Sequence, residues 1–131
     1  MNSKIEWEWL ESALGDIKNI EHIIDDEYLT HIVAFHSQQC IEKCFKAILE
    51  SQSMKVPKEH STIKLYGLVK DTLKTDIDYD LLTDMDDLYI NSRYPSDFGL
   101  MPQGKPTLEN AKEFYEFALK VYEEVGEILG R

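Results

Sequence analysis

The sequence predicts an all-α protein, an up-and-down bundle of four long helices and one short one. Three observations carry the prediction. Apolar residues recur at alternating intervals of three and four along each regular stretch, which gathers them on one face of a helix. No segment alternates apolar and polar residues at the period of a strand, and no internal repeat or low-complexity tract interrupts the pattern. Pro57, Pro95, Pro102 and Pro106 fall between the periodic stretches, where a missing backbone N–H ends a helix instead of breaking one.

With 131 residues, 43% of them hydrophobic and 30% charged, the chain suits one domain, residues 1–131, that buries its own core without staples. It is neither disordered nor membrane-spanning by composition, since no run approaches about 18 consecutive apolar residues. The first ten residues, M-N-S-K-I-E-W-E-W-L, lack the basic-then-apolar pattern of an export signal, and a cytoplasmic setting is expected. A net charge of −11 and a pI near 4.7 repel phosphate chains, so nonspecific nucleic-acid binding is disfavoured. A cationic pocket then requires that folding bring together Lys43, Lys46, Arg93 and Lys105.

Ser3 and Glu6 form a capping-box pattern that opens the first helix, whose apolar side is Ile5, Trp9, Ala13, Ile17, Ile20 and Ile24. Gly15 inside it marks either a close helix approach or a weak spot costing about 1 kcal/mol relative to alanine. After the acidic connector Asp25 to Glu27, the central helix runs from about Tyr28 to Gln52 and packs antiparallel to the first. Val33, Cys40, Ile41, Cys44, Phe45, Ala47 and Ile48 cover its apolar side, and His36, Gln39, Lys43, Lys46 and Glu50 line up as a polar stripe. Gln38 and Glu42 lie on the flank of the apolar arc beside Phe45 and need partners if buried. Spacing of four also offers surface pairs, Glu42 with Lys46 and Gln39 with Lys43. Cys40 and Cys44, one turn apart in the apolar arc, read as reduced thiols packed as small apolar groups, because they lack the further ligands of a zinc site. Neither a metal nor a cofactor is expected.

Ser51 to His60 is a loop anchored by Met54 and Val56, and Ser61 caps a short helix with Ile63, Leu65, Leu68 and Val69 as its contacts. Asp80 opens a fourth helix that uses Leu81, Leu82, Met85, Leu88 and Tyr89 and ends near Arg93, since Pro95 drives Tyr94 out of the helical region. The stretch from Pro95 to Pro106 is the least regular, and loops of this kind on rigid helices often carry function. Thr107 caps the last helix, where Leu108, Ala111, Tyr115, Ala118, Tyr122, Val125 and Leu129 follow a bundle seam. Phe114, Phe117 and Val121 widen that seam. An arc of Tyr115, Phe117, Val121 and Tyr122 wider than one seam requires predicts a homodimer built partly from this helix.

The strings F-H-S-Q-Q-C-I-E-K-C-F-K-A-I-L (Phe35 to Leu49), His60-Ser61 after a proline loop, S-R-Y-P-S-D (Ser92 to Asp97) and G-K-P-T-L-E-N-A-K (Gly104 to Lys112) together resemble the HEPN domain. They span nearly the whole chain in the family's order. The resemblance implies a dimerising helical bundle in a cytoplasmic, prokaryotic setting, and operation beside a small nucleotidyltransferase as a toxin and antitoxin pair. Some members are metal-independent ribonucleases, and others are noncatalytic nucleotide-binding or scaffolding modules.

The ribonuclease members carry an arginine, usually followed by a polar residue, and then a histidine several positions on. Here Arg93 is followed by Tyr94, and Phe98, Gly99 and Leu100 stand where the histidine would be. Cleavage through a 2′-hydroxyl needs a group that moves a proton near neutral pH, and these three side chains have none. The leading expectation is a noncatalytic HEPN protein that binds a nucleotidyltransferase-like partner and, in a cleft of His36, Gln39, Lys43 and Arg93, a nucleotide. The alternatives are a ribonuclease toxin with an atypical site using Arg93 with His36 or His60, and a dimeric scaffold without a ligand. As structural residues, His36 would bond a neighbouring helix or dimer mate and His60 would anchor a loop.

Overall fold

The computed structural model describes residues 4–74, 76–91 and 105–131, with the backbone alone at Asn91. Five α-helices follow in order: α1 (Ile5–Ile23), α2 (Thr30–Ser51), α3 (Thr62–Val69), α4 (Tyr79–Asn91) and α5 (Leu108–Ile128), with a 3₁₀ turn at Glu27–Leu29 before α2. The described residues contain no strand. No helix among them is long and apolar enough to cross a membrane.

α2 is the axis. Its apolar side, from Val33 through Cys40, Ile41, Cys44 and Phe45 to Leu49, is fully buried because other helices cover it from two directions. On one side lie α1 and α5, which also touch each other; on the other lie α3 and α4, which do the same. Trp9 meets Lys46, Asp16 meets Lys43 and His36, and Ile20 packs with Val33. Contacts that advance along α1 therefore retreat along α2, and the two helices are antiparallel as expected. Trp7 donates from Nε1 to the Leu129 carbonyl (3.2 Å) and Tyr115 donates from its hydroxyl to Glu21 (2.9 Å), so α5 is antiparallel to α1 as well.

Local chemistry sets the helix boundaries. Thr107 accepts from the Asn110 N–H (3.0 Å) while Asn110 Oδ1 accepts from the Thr107 N–H (3.1 Å), a reciprocal cap for α5. Ser61 Oγ accepts from the Lys64 N–H at the start of α3. Asp78, two residues before the expected Asp80, caps α4 through the Leu81 N–H (3.1 Å). α1 starts after Lys4 with no side-chain cap, and Ser3 lies outside the described residues. Tyr28 is in the 3₁₀ turn, not in α2, because Asp26 takes its N–H (2.8 Å) and turns the chain there.

Several expected core positions are corrected. Ile5, Leu68 and Met54 are exposed: the first is the opening residue of α1, the second stands on the outer face of a two-turn helix, the third in a loop where Val56 packs inward. A Cβ added at Gly15 would meet nothing within 4 Å among the described residues, so that glycine is the weak spot and none of the described helices approaches it closely. On α5 the buried line is Ala111, Phe114, Ala118, Val121 and Val125. Val121 thus belongs to the core, and Tyr115, Phe117 and Tyr122, the other members of the arc expected at a subunit face, are half-buried against it. Cys40 and Cys44 are both buried, and a hydrogen bond with Cys44 together with burial pushes the Cys40 thiol well above its ordinary range, the state of a packed thiol.

Candidate functional site

The polar stripe of α2 is not an open row of donors. Asp16 of α1, only 6% exposed, accepts from Lys43 Nζ at 2.8 Å through one carboxylate oxygen and from His36 Nδ1 at 2.8 Å through the other. The site arises because α1 places one acid inside an otherwise apolar arc, between Ala13, Ile17 and Ile20, facing the antiparallel stripe. Two of the predicted ligand-binding side chains, His36 and Lys43, are brought together there and held by an internal carboxylate.

Lys46, expected on the stripe, is buried. Its ammonium pairs with Glu42 at 3.1 Å, one turn earlier, and lies 5.6 Å from the centroid of the Trp9 ring. The expected surface pair is therefore an interior one, with both side chains less than a tenth exposed. An ion pair so placed persists because its remaining valences are met. Gln39 Nε2 donates to Glu42 Oε1 and to Gln38 Oε1 (3.3 and 2.8 Å), and His60 Nδ1 reaches Glu42 Oε1 at 3.3 Å. Gln39 thus stands with Glu42, while the spacing-four partner expected for it, Lys43, turns to Asp16. Lys105 is elsewhere again, over the Tyr28 ring and donating to the Tyr28 carbonyl, so Lys43, Lys46 and Lys105 do not pool into one cationic pocket.

Asp86 of α4 forms the third buried acidic centre. Oδ1 accepts from the Thr62 N–H (2.9 Å), the Thr62 hydroxyl (2.7 Å) and Gln38 Nε2 (3.2 Å); Oδ2 accepts from the Ser61 hydroxyl (2.9 Å) and the Ile63 N–H (3.2 Å). The carboxylate therefore occupies the N-terminus of α3, where unpaired amides and the helix dipole favour negative charge. Gln38, with no exposed surface, completes the junction by donating to the His60 carbonyl at 2.6 Å. The partners that a buried amide at this position requires are thus Asp86, His60 and Gln39.

Beside this junction lies a groove of about 600 Å³ between the 58–61 loop, the start of α3 and the second half of α4. Ile63, Tyr89 and Ile90 give it apolar walls, Lys58 and Lys64 bring cations, Glu59, Asp86 and Asp87 bring carboxylates, and His60 sets its ring against Tyr89 with centroids 5.6 Å apart. Tyr89 stacks in turn on Phe35 (5.7 Å, 24°), and Phe35 meets His36 edge-on (5.4 Å). The two candidate histidines thus stand at opposite ends of a run of four rings, each on its own carboxylate: His36 on Asp16, His60 on Glu42. Arg93, together with Phe98, Gly99 and Leu100, lies outside the described residues, although Ile90 of the groove precedes it by three positions in the sequence.

Residue-by-residue reading of the sequence missed Asp16, Asp86 and Tyr89 as members of this arrangement. The available signal was an acid inside an apolar arc: Asp16 among Ala13, Ile17 and Ile20, and Asp86 among Leu82, Met85 and Tyr89. Such a residue is buried with the arc and must be given donors.

The family model described as "HEPN domain" matches residues 6–128. Among solved structures, the crystal structure of TT1696 from Thermus thermophilus superposes with a TM-score of 0.71 at 23% identity, over 96% of this chain and 99% of that one. The crystal structure of ST0689, an archaeal HEPN homologue, gives 0.68 at 25% identity, over 98% and 99%. No curated protein matches. The helix order, the α2 strings and the near-complete match together make this chain a member of the HEPN domain family.

Proposed function

We propose that the chain, as one domain of residues 1–131, acts by binding and not by cleaving RNA: a cytoplasmic HEPN module that dimerises, pairs with a nucleotidyltransferase-like protein as a toxin and antitoxin system, and takes a nucleotide. The observation that carries the ligand part is the groove beside His60. Its volume suits a mononucleotide, and it offers the exposed His60 ring as aromatic surface, with Lys58 and Lys64 for phosphate and the carboxylates of Glu59 and Asp87 for the amino or hydroxyl groups of a base or sugar. This moves the ligand from the cleft expected around His36, Gln39 and Lys43 to the α3–α4 side, because Asp16 and Glu42 already engage those three side chains. Pairing with a second protein and with itself rests on family membership. Arg93 is assigned to anion binding by its guanidinium chemistry.

The deciding experiment is calorimetric titration of purified protein with adenosine 5′-monophosphate, beside a metal-free ribonuclease assay on the wild type, Arg93→Ala, His36→Ala and His60→Ala. Saturable binding weakened by Lys58→Ala/Lys64→Ala, with no cleavage above background, is the expected result. Cleavage lost in Arg93→Ala and in one histidine variant establishes the ribonuclease instead. Light scattering at micromolar concentration tests the dimer, and co-purification from the native host tests the partner.

A further inference from the structure

His60 has a feature that a surface loop histidine does not need, a buried carboxylate behind it. Glu42 is 5% exposed, and Lys46 supplies its countercharge at 3.1 Å from a side chain equally removed from water. An ionised carboxylate only accepts hydrogen bonds, so the contact at 3.3 Å has His60 Nδ1–H as the donor. In its neutral form the imidazole then has its proton on Nδ1 and its lone pair on Nε2, on a ring that lines the groove together with Glu59, Asp86 and Asp87 and is more than half exposed.

We infer that Glu42 is a positioning residue for His60: it holds the ring so that Nε2 meets the groove as a hydrogen-bond acceptor, and His60 therefore reads an N–H or O–H donor on the ligand. Phosphate oxygens offer no donor and fall to Lys58 and Lys64 on the same groove. The donor is a nucleobase amino group or a ribose hydroxyl, the two sources that share this chemistry in a nucleotide. The inference rests on the groove being the nucleotide site.

Two measurements keep those layers apart. Long-range ¹H–¹⁵N spectra of the wild-type protein report the His60 tautomer without any ligand, and Nδ1-protonated, Nε2-bare nitrogen is expected. In Glu42→Leu/Lys46→Met, an apolar replacement of the pair, Nδ1 loses its acceptor, and the proton should shift toward Nε2, the tautomer an unconstrained imidazole favours. Wild-type spectra decide the matter even if that variant does not fold. Titrations then compare adenosine 5′-monophosphate with purine riboside 5′-monophosphate, which lacks the amino group, and with the 2′,3′-dideoxy analogue. One analogue should bind about tenfold more weakly to the wild type, and the same analogue should show no deficit against His60→Phe. Nε2-protonated or doubly protonated His60 overturns the inference, as does equal binding of all three nucleotides. No nucleotide binding at all, with the Nδ1 tautomer intact, overturns the nucleotide reading and the ligand half of this inference but leaves the Glu42–His60 geometry standing.

Discussion

Two aspartates on opposite sides of α2 are buried to almost the same degree, and they are satisfied in opposite ways. Asp16 faces α2 from α1 and is held by two side chains that carry or can carry positive charge, Lys43 and His36. Asp86 faces it from α4 and is held by neutral donors, two hydroxyls, two backbone amides and the Gln38 amide. The partners of Asp16 are about a fifth exposed and can turn to water when the acid is removed. Thr62 and Gln38, at the Asp86 junction, have no exposed surface and cannot. Equal burial of two carboxylates therefore does not mean equal dependence of the fold on them, because the penalty is set by what is left behind.

The largest effect should come from Asp86→Ala, which strands the Thr62 and Ile63 amides and the Gln38 side chain together; about 3 to 5 kcal/mol of stability is expected to be lost in urea unfolding. Asp16→Ala should cost less, about 1 to 3 kcal/mol, since Lys43 and His36 rehydrate. A loss at Asp16 equal to or above that at Asp86 breaks the comparison. Gln38→Leu sharpens it by removing one member of the Asp86 junction while keeping its volume. A loss of about 1 to 2 kcal/mol is expected, because the His60 carbonyl and the Gln39 amide lose their partner, and thermal unfolding that matches wild type would show the junction tolerates an apolar bundle position there. The smallest effect belongs to Ser37→Ala. Ser37 is fully buried on α2 and its hydroxyl has no hydrogen-bond partner among the described residues, so its removal should leave stability unchanged or raise it by up to about 1 kcal/mol in the same assay.

What the sequence disclosed and what it withheld divide along the same line. Helix existence, the Thr107 and Ser61 caps and the buried arc of α2 depend on neighbours within a turn or two, and all are visible as spacing. The burial of Lys46 depends on Trp9, and the roles of Asp16 and Asp86 depend on partners 20 or more residues away, which no local period encodes. On α5 two registers compete: Ala111, Tyr115, Ala118, Tyr122 and Val125 repeat as regularly as Ala111, Phe114, Ala118, Val121 and Val125. Period alone does not choose between them; packing against α1 and α2 chooses the second. The candidate histidines were legible as residue types, but the carboxylate that holds each one was not.

The cap on α3 also has a consequence in time. A helix of eight residues is too short to persist alone, since nucleation costs more than two turns return. Its first amides are closed by an acid that lies 24 positions later and reaches them only when α4 has docked. α3 therefore cannot form early and wait; it consolidates in the same event as α4, and the two open together. Hydrogen exchange at the Thr62 and Ile63 amides should then follow the opening of α4, at rates common to both helices and separate from those of α1 and α5.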